Sequence, residues 1–451
     1  MEDLKQYKKA HHYSEIDNAV RINVPINAEH EFYTDFSDVR GDFEEKVFFR
    51  ALNVNYRRLE LENTNPTNKA LIFLAGMRGS GKTSELAKIS RKLTKPEAFF
   101  PITCNIDDGL DLNDMEYMDI LIFQLERLFE ELSQQTLLVF DEDVIASFQS
   151  WFSERISEAN KVIKKEGGFE VKMTAGTPSL LSFLGITTKV KANIAGSKEN
   201  AQKIRTVLRN NFSDFAKKFN EFIEYVSLKL RDRNIAKELL FIIDGLEKTS
   251  SLDIRRKIIF EESNRIRLIK ANTIFTLPVE LMSESQRLTT FSTVISFPFV
   301  KIREKNGDIV EKAVERFVEF TYKRIDPKLF ENEQIVRKAI LMGGGSPREY
   351  LRILEYTSFS IDEEKGVIDM EALDKAIKKL AAQTAQYINE EELEVLAKLK
   401  KANAEGTPLP FSEKWQDLLE KLIVLEYNDG TYKRVNPVVE ASRLYKHYVG
   451  E

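Results

Sequence analysis

Gly76-Met77-Arg78-Gly79-Ser80-Gly81-Lys82-Thr83 packs three glycines, a lysine and two hydroxyls into eight residues, after the apolar run 71–75 and before the helical pattern opened by Ser84-Glu85-Leu86. The spacing is G-x-x-x-x-G-K-[ST] in strand-loop-helix order, which predicts a loop that wraps phosphate groups. Glycines lack a Cβ, so backbone amides can turn inward around a β-phosphate, and the helix N-terminus adds partial positive charge there. In that reading Lys82 reaches the β- and γ-phosphates, Thr83 holds Mg²⁺, and Ser84 completes the loop at the helix start. ATP and Mg²⁺ are the expected ligands.

A second chemical element lies in ELLFIIDGLEK, residues 238–248. Its run 239–243 is continuously apolar, as a central parallel strand requires, and Asp244 emerges at the end. A carboxylate there can share Mg²⁺ with Thr83. Glu247, three residues on, is the candidate base for the attacking water, the alternative being a surface residue on the following turn. Gly245 occupies the position next to Asp244 where a second acid is often found.

These residues need a scaffold, and the chain supplies the material for one. Its 451 residues suffice for two or three domains, and 42 % hydrophobic against 31 % charged residues describes an ordinary water-facing protein with a sizeable core. The net charge of -5 gives no overall basic character that would announce nucleic acid or an acidic membrane surface. Cys104 is the single cysteine and reads as a small core residue, so no intramolecular disulfide is expected. His11, His12, His30 and His447 lack metal-ligand spacing. No apolar run approaches the roughly 18 residues of a membrane helix, and the polar N-terminus points to a cytoplasmic protein. A second strand, FFPITCN (99–105), precedes the helix pattern MEYMDILIFQLERLFEEL. Alternating strands and helices favour a parallel sheet covered by helices.

With both motifs placed, residues 35 to 450 resemble the AAA+ ATPases of the origin-recognition initiator type and the signal-transduction ATPases with numerous domains. The resemblance rests further on ANTIFTLPVELM (271–282), VISFPFVKIREKNGD (294–308), TYKRIDPKLF (321–330) and GGGSPREYLRILEY (343–356). The chain is also similar to a bacterial group of such ATPases often encoded with defence effectors. The resemblance implies an α/β fold: an AAA+ P-loop NTPase with a parallel sheet, a helical lid and a C-terminal winged helix. Expected bounds are a lead-in over 1–68, a nucleotide-binding core over 69–300 with an insertion at about 150–230, a lid over 301–385 and a winged-helix-like domain over 386–451. It further implies Thr276 as a first sensor of the γ-phosphate or attacking water, Arg348 as a second sensor, and Arg324 as an arginine finger offered to a neighbouring subunit.

Gly76 and Asp244 are 168 positions apart, more than a compact core needs, so something is inserted. Residues 165–199 alternate apolar and polar types around Gly, Thr and Pro and predict a hairpin, with Leu180, Leu181, Phe183, Leu184 and Ile186 either an exposed contact surface or folded back on the domain. Residues 203–233 then read as one long helix. Near the C-terminus, helical patterns in NEEELEVLAKLKKAN and FSEKWQDLLEKL precede two strands joined at Asn428-Asp429-Gly430, a winged-helix pattern without basic excess. The expected function is an ATP-hydrolysing switch that assembles with copies of itself and recruits or activates an effector encoded nearby, and the resemblance implies bacterial antiviral defence as the setting. The alternative is a DNA-binding ATPase of the initiator or transposition-regulator kind.

Overall fold

The computed structural model describes residues 6–22, 24–41, 43–62, 69–165, 179–409, 412–428 and 430–450. Five parallel strands form its centre: β1 (Leu71–Gly76), β2 (Phe99–Asn105), β3 (Glu238–Asp244), β4 (Asn272–Pro278) and β5 (Thr293–Ser296). Their spatial order is β2-β3-β4-β1-β5. Registers such as Leu74 beside Thr276 and Asn105 beside Asp244 bring the carboxyl ends of β1, β3 and β4 together. Strands β3 and β4 are buried along their whole length, which is why β3 reads as a continuous apolar run rather than an alternating one, while β4 carries Asn272, Thr273 and Thr276 among its apolar residues. Helix α1 (Lys82–Leu93) follows β1. Cys104 is fully buried on β2, and that burial pushes its thiol pKa up.

Between β2 and β3 lie α2 (Tyr117–Ser133), α3 (Glu142–Lys165), α4 (Leu180–Gly196), α5 (Lys198–Asn210) and α6 (Phe212–Asp232). The hairpin expectation is overturned over 180–196, while 166–178 fall outside the described residues. Ser179 caps α4, its side chain accepting from the Ser182 backbone N–H at 3.1 Å, and Phe183, Ile186, Val190 and Ile194 are buried at three- and four-residue spacing. Only Leu181 of the five expected contact residues is exposed; Phe183 packs 4.5 Å from Phe129, centroid to centroid, in the core that also covers the sheet. The single long helix expected over 203–233 is likewise broken, at Asn211.

After the sheet come α7 (Glu311–Arg324), α8 (Glu333–Met342), α9 (Pro347–Ser358) and α10 (Met370–Ala385), which form the helical lid. The described part of the N-terminal lead-in is not a loose approach to the P-loop strand. Tyr7, Ala10, Ile16, Phe32 and Phe36 share a hydrophobic core with the lid, and Ala10 is held between the Arg324 carbonyl (2.8 Å) and the Asp326 amide (2.9 Å). The winged helix follows: α11 (Glu390–Glu405), α12 (Trp415–Glu420), and the antiparallel strands β6 (Val424–Tyr427) and β7 (Tyr432–Val435). A reciprocal cap between Asn389 and Glu392 starts α11, and Gly406, at φ +66°, ends it. Among the described residues, no helix is long and apolar enough to cross a membrane.

Candidate functional site

The phosphate loop turns on two left-handed residues, Gly79 at φ +83° and Gly81 at φ +94°, conformations that a side chain would strain. The turn delivers Lys82 and Thr83 to the first turn of α1. Lys82 is 3 % exposed; its Nζ donates to the carbonyls of Gly76 (2.8 Å) and Met77 (3.1 Å) and lies 3.9 Å from Glu247 Oε1. The Thr83 hydroxyl donates to Asp244 Oδ2 at 2.6 Å, while buried Asp244 Oδ1 has no hydrogen-bond partner. A second orphan, Ser80 Oγ, sits within the loop itself.

The residue after Asp244 explains the separated acids. Gly245 adopts φ +99°, and the short turn Leu246–Lys248 then swings Glu247 back toward Lys82. The Thr276 hydroxyl, in the carboxyl half of β4, accepts from the Gly245 backbone N–H at 3.0 Å and donates to Glu247 Oε2 at 3.4 Å. Thr276 is fully buried and fixes the Glu247 carboxylate through these bonds. The two acids titrate in opposite directions. Burial, reinforced by the charge of Glu247, raises the Asp244 pKa against the pull of Thr83 and Lys82. For Glu247, burial also pushes upward, but Lys82, its own backbone amide, Lys248 and Arg348 outweigh it and hold the pKa low.

Arg348 arrives from the lid, in the first turn of α9 behind the Ser346 cap, whose side chain accepts from the Glu349 backbone N–H at 3.3 Å. Its Cβ would lie 2.8 Å from a Cβ placed on Gly79, so it rests on the phosphate loop. Burial and Arg78 lower its pKa, and Glu247 works against them. Three cations, Arg78, Lys82 and Arg348, thus surround one loop.

Arg324 is corrected by the structure. It is 4 % exposed, and its Nη1 donates to the carbonyls of Phe32 (2.8 Å) and Phe320 (3.0 Å), with the guanidinium 3.6 Å from the Phe320 ring centroid and 5.0 Å from that of Phe32. Burial pulls its pKa down to about 9, so it stays charged at neutral pH. A guanidinium spent on its own chain's carbonyls and rings is not presented to a neighbouring subunit. It tethers the N-terminal segment to the lid instead.

One cavity of about 600 Å³ joins these groups, a size in the range of small-molecule sites. Its walls include Lys82, Thr83, Glu247 and Arg348 at one end and Tyr7, Ile22, Phe32, Phe320 and Arg324 at the other. The sequence reading missed the contribution of the N-terminal segment, Arg40 above all. Arg40 is 4 % exposed, donates through Nη1 to the Pro298 carbonyl at 2.9 Å, and stacks 4.1 Å from the Phe297 ring centroid. Its Nη2 would be 3.2 Å from a Cβ on Gly81, and its Nε is buried without a partner. Burial lowers its pKa to about 10, against Glu85, Tyr33 and Asp35. The available signal was an arginine between Val39 and Gly41 in an aromatic stretch just before the helix Glu45–Ala51.

The donor set fits the expected ligands. Asp244 Oδ1 is an orphaned buried acceptor beside a threonine hydroxyl, as a hydrated Mg²⁺ would use, and the loop carries both the glycine turns and the cations that a triphosphate needs.

No family model and no curated protein matches the sequence. Among solved structures, the chain is similar to Cdc6p from Pyrobaculum aerophilum, at 13 % identity over 95 % of this chain and 99 % of that one, with a TM-score of 0.37. It is also similar to a Walker-type ATPase of Pyrococcus abyssi, at 14 % identity over 94 % and 100 % of the two chains with a TM-score of 0.34. The ORC2 protein of Aeropyrum pernix aligns at 10 % identity over 85 % and 86 %, with a TM-score of 0.32. At such scores the fold rests on the chain's own strand order and phosphate-loop geometry.

Proposed function

We propose that this protein binds ATP with Mg²⁺ between its sheet and its lid, hydrolyses it, and uses the exchange of bound nucleotide as a conformational switch. The supporting observation is that Lys82, Thr83 and Glu247 line one cavity, with Asp244 and its unpartnered Oδ1 held behind it by Thr83 and Glu247 held by Thr276. When bound, Mg²⁺ neutralises charge on the transferred phosphoryl group. Glu247, held low in pKa, is an ionised acceptor that orients a water. Lys82 exchanges the Gly76 and Met77 carbonyls for phosphate oxygens, and Arg348 closes the lid over the charge that develops. The apolar end of the cavity, between the N-terminal segment and the lid, takes the base. Nucleotide therefore bridges two hydrophobic cores, and its presence favours the closed arrangement by its extra contacts there.

From the resemblance, the proposal extends to ATP-dependent self-assembly and recruitment of an effector in bacterial antiviral defence. Mass photometry with and without ATP, and with the product of a neighbouring gene, tests that extension. The core proposal is tested by calorimetry with ATP and Mg²⁺. Lys82→Ala should weaken binding more than about 100-fold, because it removes the loop lysine placed for the β- and γ-phosphates. Unchanged affinity in that variant overturns the nucleotide site.

A further inference from the structure

The winged helix is seated against the back of the phosphate site through one strand. All four residues of β6 are buried. The Glu426 backbone N–H points at Met77 Sδ, 3.1 Å away, and Met77 belongs to the same apolar cluster as Leu418, Leu425 and Tyr427. The Tyr427 hydroxyl donates to the Gly344 carbonyl at 2.6 Å, and Leu425 packs so tightly there that a Cβ on Gly344 would strike it. Asn428 Oδ1, one residue further, would be 2.5 Å from a Cβ on Gly41.

Each of the three contacted residues stands within four residues of a group that lines the cavity. Met77 offers its carbonyl to Lys82 and leads into Arg78 and Gly79. Gly344 precedes Ser346, the cap of α9, and Arg348. Gly41 follows Arg40. One strand of four residues and the turn after it thus touch the phosphate loop, the loop before α9 and the segment that carries Arg40.

The helix before that strand is engaged as well. In helix-turn-helix proteins the corresponding helix enters the DNA major groove. Here α12 lies on the sheet domain, with Glu420 Oε1 2.9 Å from Arg255 Nη1 and Gln416 Nε2 donating to Ser283 Oγ at 3.2 Å.

We propose that the winged helix of this protein is a positioning part of its nucleotide site: Tyr427, through the Gly344 carbonyl, holds the loop that aims Arg348, and β6 braces the phosphate loop through Met77. A partner that pulls the winged helix from the core would then switch turnover off. The inference rests on the ATP reading above. It makes Tyr427 a positioning residue, since its hydroxyl touches the loop and not the nucleotide.

Tyr427→Phe is the direct test, because it keeps the ring and its packing and deletes one hydroxyl. ATP turnover is compared in wild type, Tyr427→Phe, Arg348→Ala and the double variant, with thermal melting of each. Turnover should fall about tenfold in Tyr427→Phe with KM within about twofold, and the double variant should be no slower than Arg348→Ala. A merely structural tyrosine gives a different pattern, in which the two losses multiply and the melting temperature drops. Wild-type turnover in Tyr427→Phe, or multiplied losses, overturns the inference while leaving the ATP site intact. A wild type that neither binds nor turns over ATP overturns both.

Discussion

At and behind the phosphate end of the cavity, Lys82, Thr83, Asp244 and Glu247 come from one helix start, one strand end and a few residues of turn, whereas at the apolar end Tyr7, Ile22, Phe32, Phe320 and Arg324 come from segments some 300 positions apart. The first group is placed by backbone geometry: the left-handed glycines 79, 81 and 245 and the strand registers leave its side chains little choice. The second is placed by packing, in the core that the N-terminal segment shares with the lid. Backbone-placed groups carry chemistry that fails when one atom is moved. Packing-placed groups carry affinity and closure, which decline by degrees.

The largest effect should come from the phosphate end. Glu247→Gln preserves shape and the contact with Thr276 but cannot accept a proton. ATP should still bind, while turnover falls by about 10² to 10⁴, the usual contribution of a positioned base. Single-turnover kinetics separate the two; normal hydrolysis in this variant places the base elsewhere.

A change at the apolar end should behave otherwise. Arg324→Ala removes the donor to the Phe32 and Phe320 carbonyls and loosens the N-terminal segment from the lid, so ATP affinity should fall about 3- to 30-fold. Mixing it with Lys82→Ala should restore no activity at any ratio, because the guanidinium serves its own chain. Recovery on mixing would reinstate a finger acting between subunits.

Legibility in the sequence follows the same division. The phosphate loop, the buried strand 238–244 and the wing were readable because glycine, apolar runs and turn residues act locally. The apolar end was not, since nothing in Tyr7 or Phe32 indicates a partner such as Phe320. The insertion misled in a related way. Gly, Thr and Pro in 165–199 suggested strands, yet the apolar residues 183, 186, 190 and 194 already held a helical period that the Ser179 cap could have anchored. Arg324 failed for a physical reason too: an arginine at the end of a lid helix looks solvated until the chain that buries it, thirty residues from the N-terminus, is known.

The smallest effect sets the two acids of the phosphate end against each other in the nucleotide-free protein. Asp244 has a raised pKa, so the stability it contributes is present at acid pH and is lost as pH rises through that raised value; at neutral pH, above the ordinary carboxylate range, the shift works against the fold. Glu247 has a lowered pKa, so its contribution is present above the ordinary carboxylate range and is lost as pH falls through the lowered value. At pH 7, Asp244→Asn should therefore raise the melting temperature, since the amide can still accept from Thr83, and Glu247→Gln should lower it, each by about a few degrees at most. Added Mg²⁺ and ATP should reverse the order for Asp244, stabilising the wild type and not the asparagine variant. Scanning calorimetry of both variants from pH 5 to 8 reads the signs, and two shifts in the same direction would mean that the acids do not divide the labour of holding a cation and holding a water.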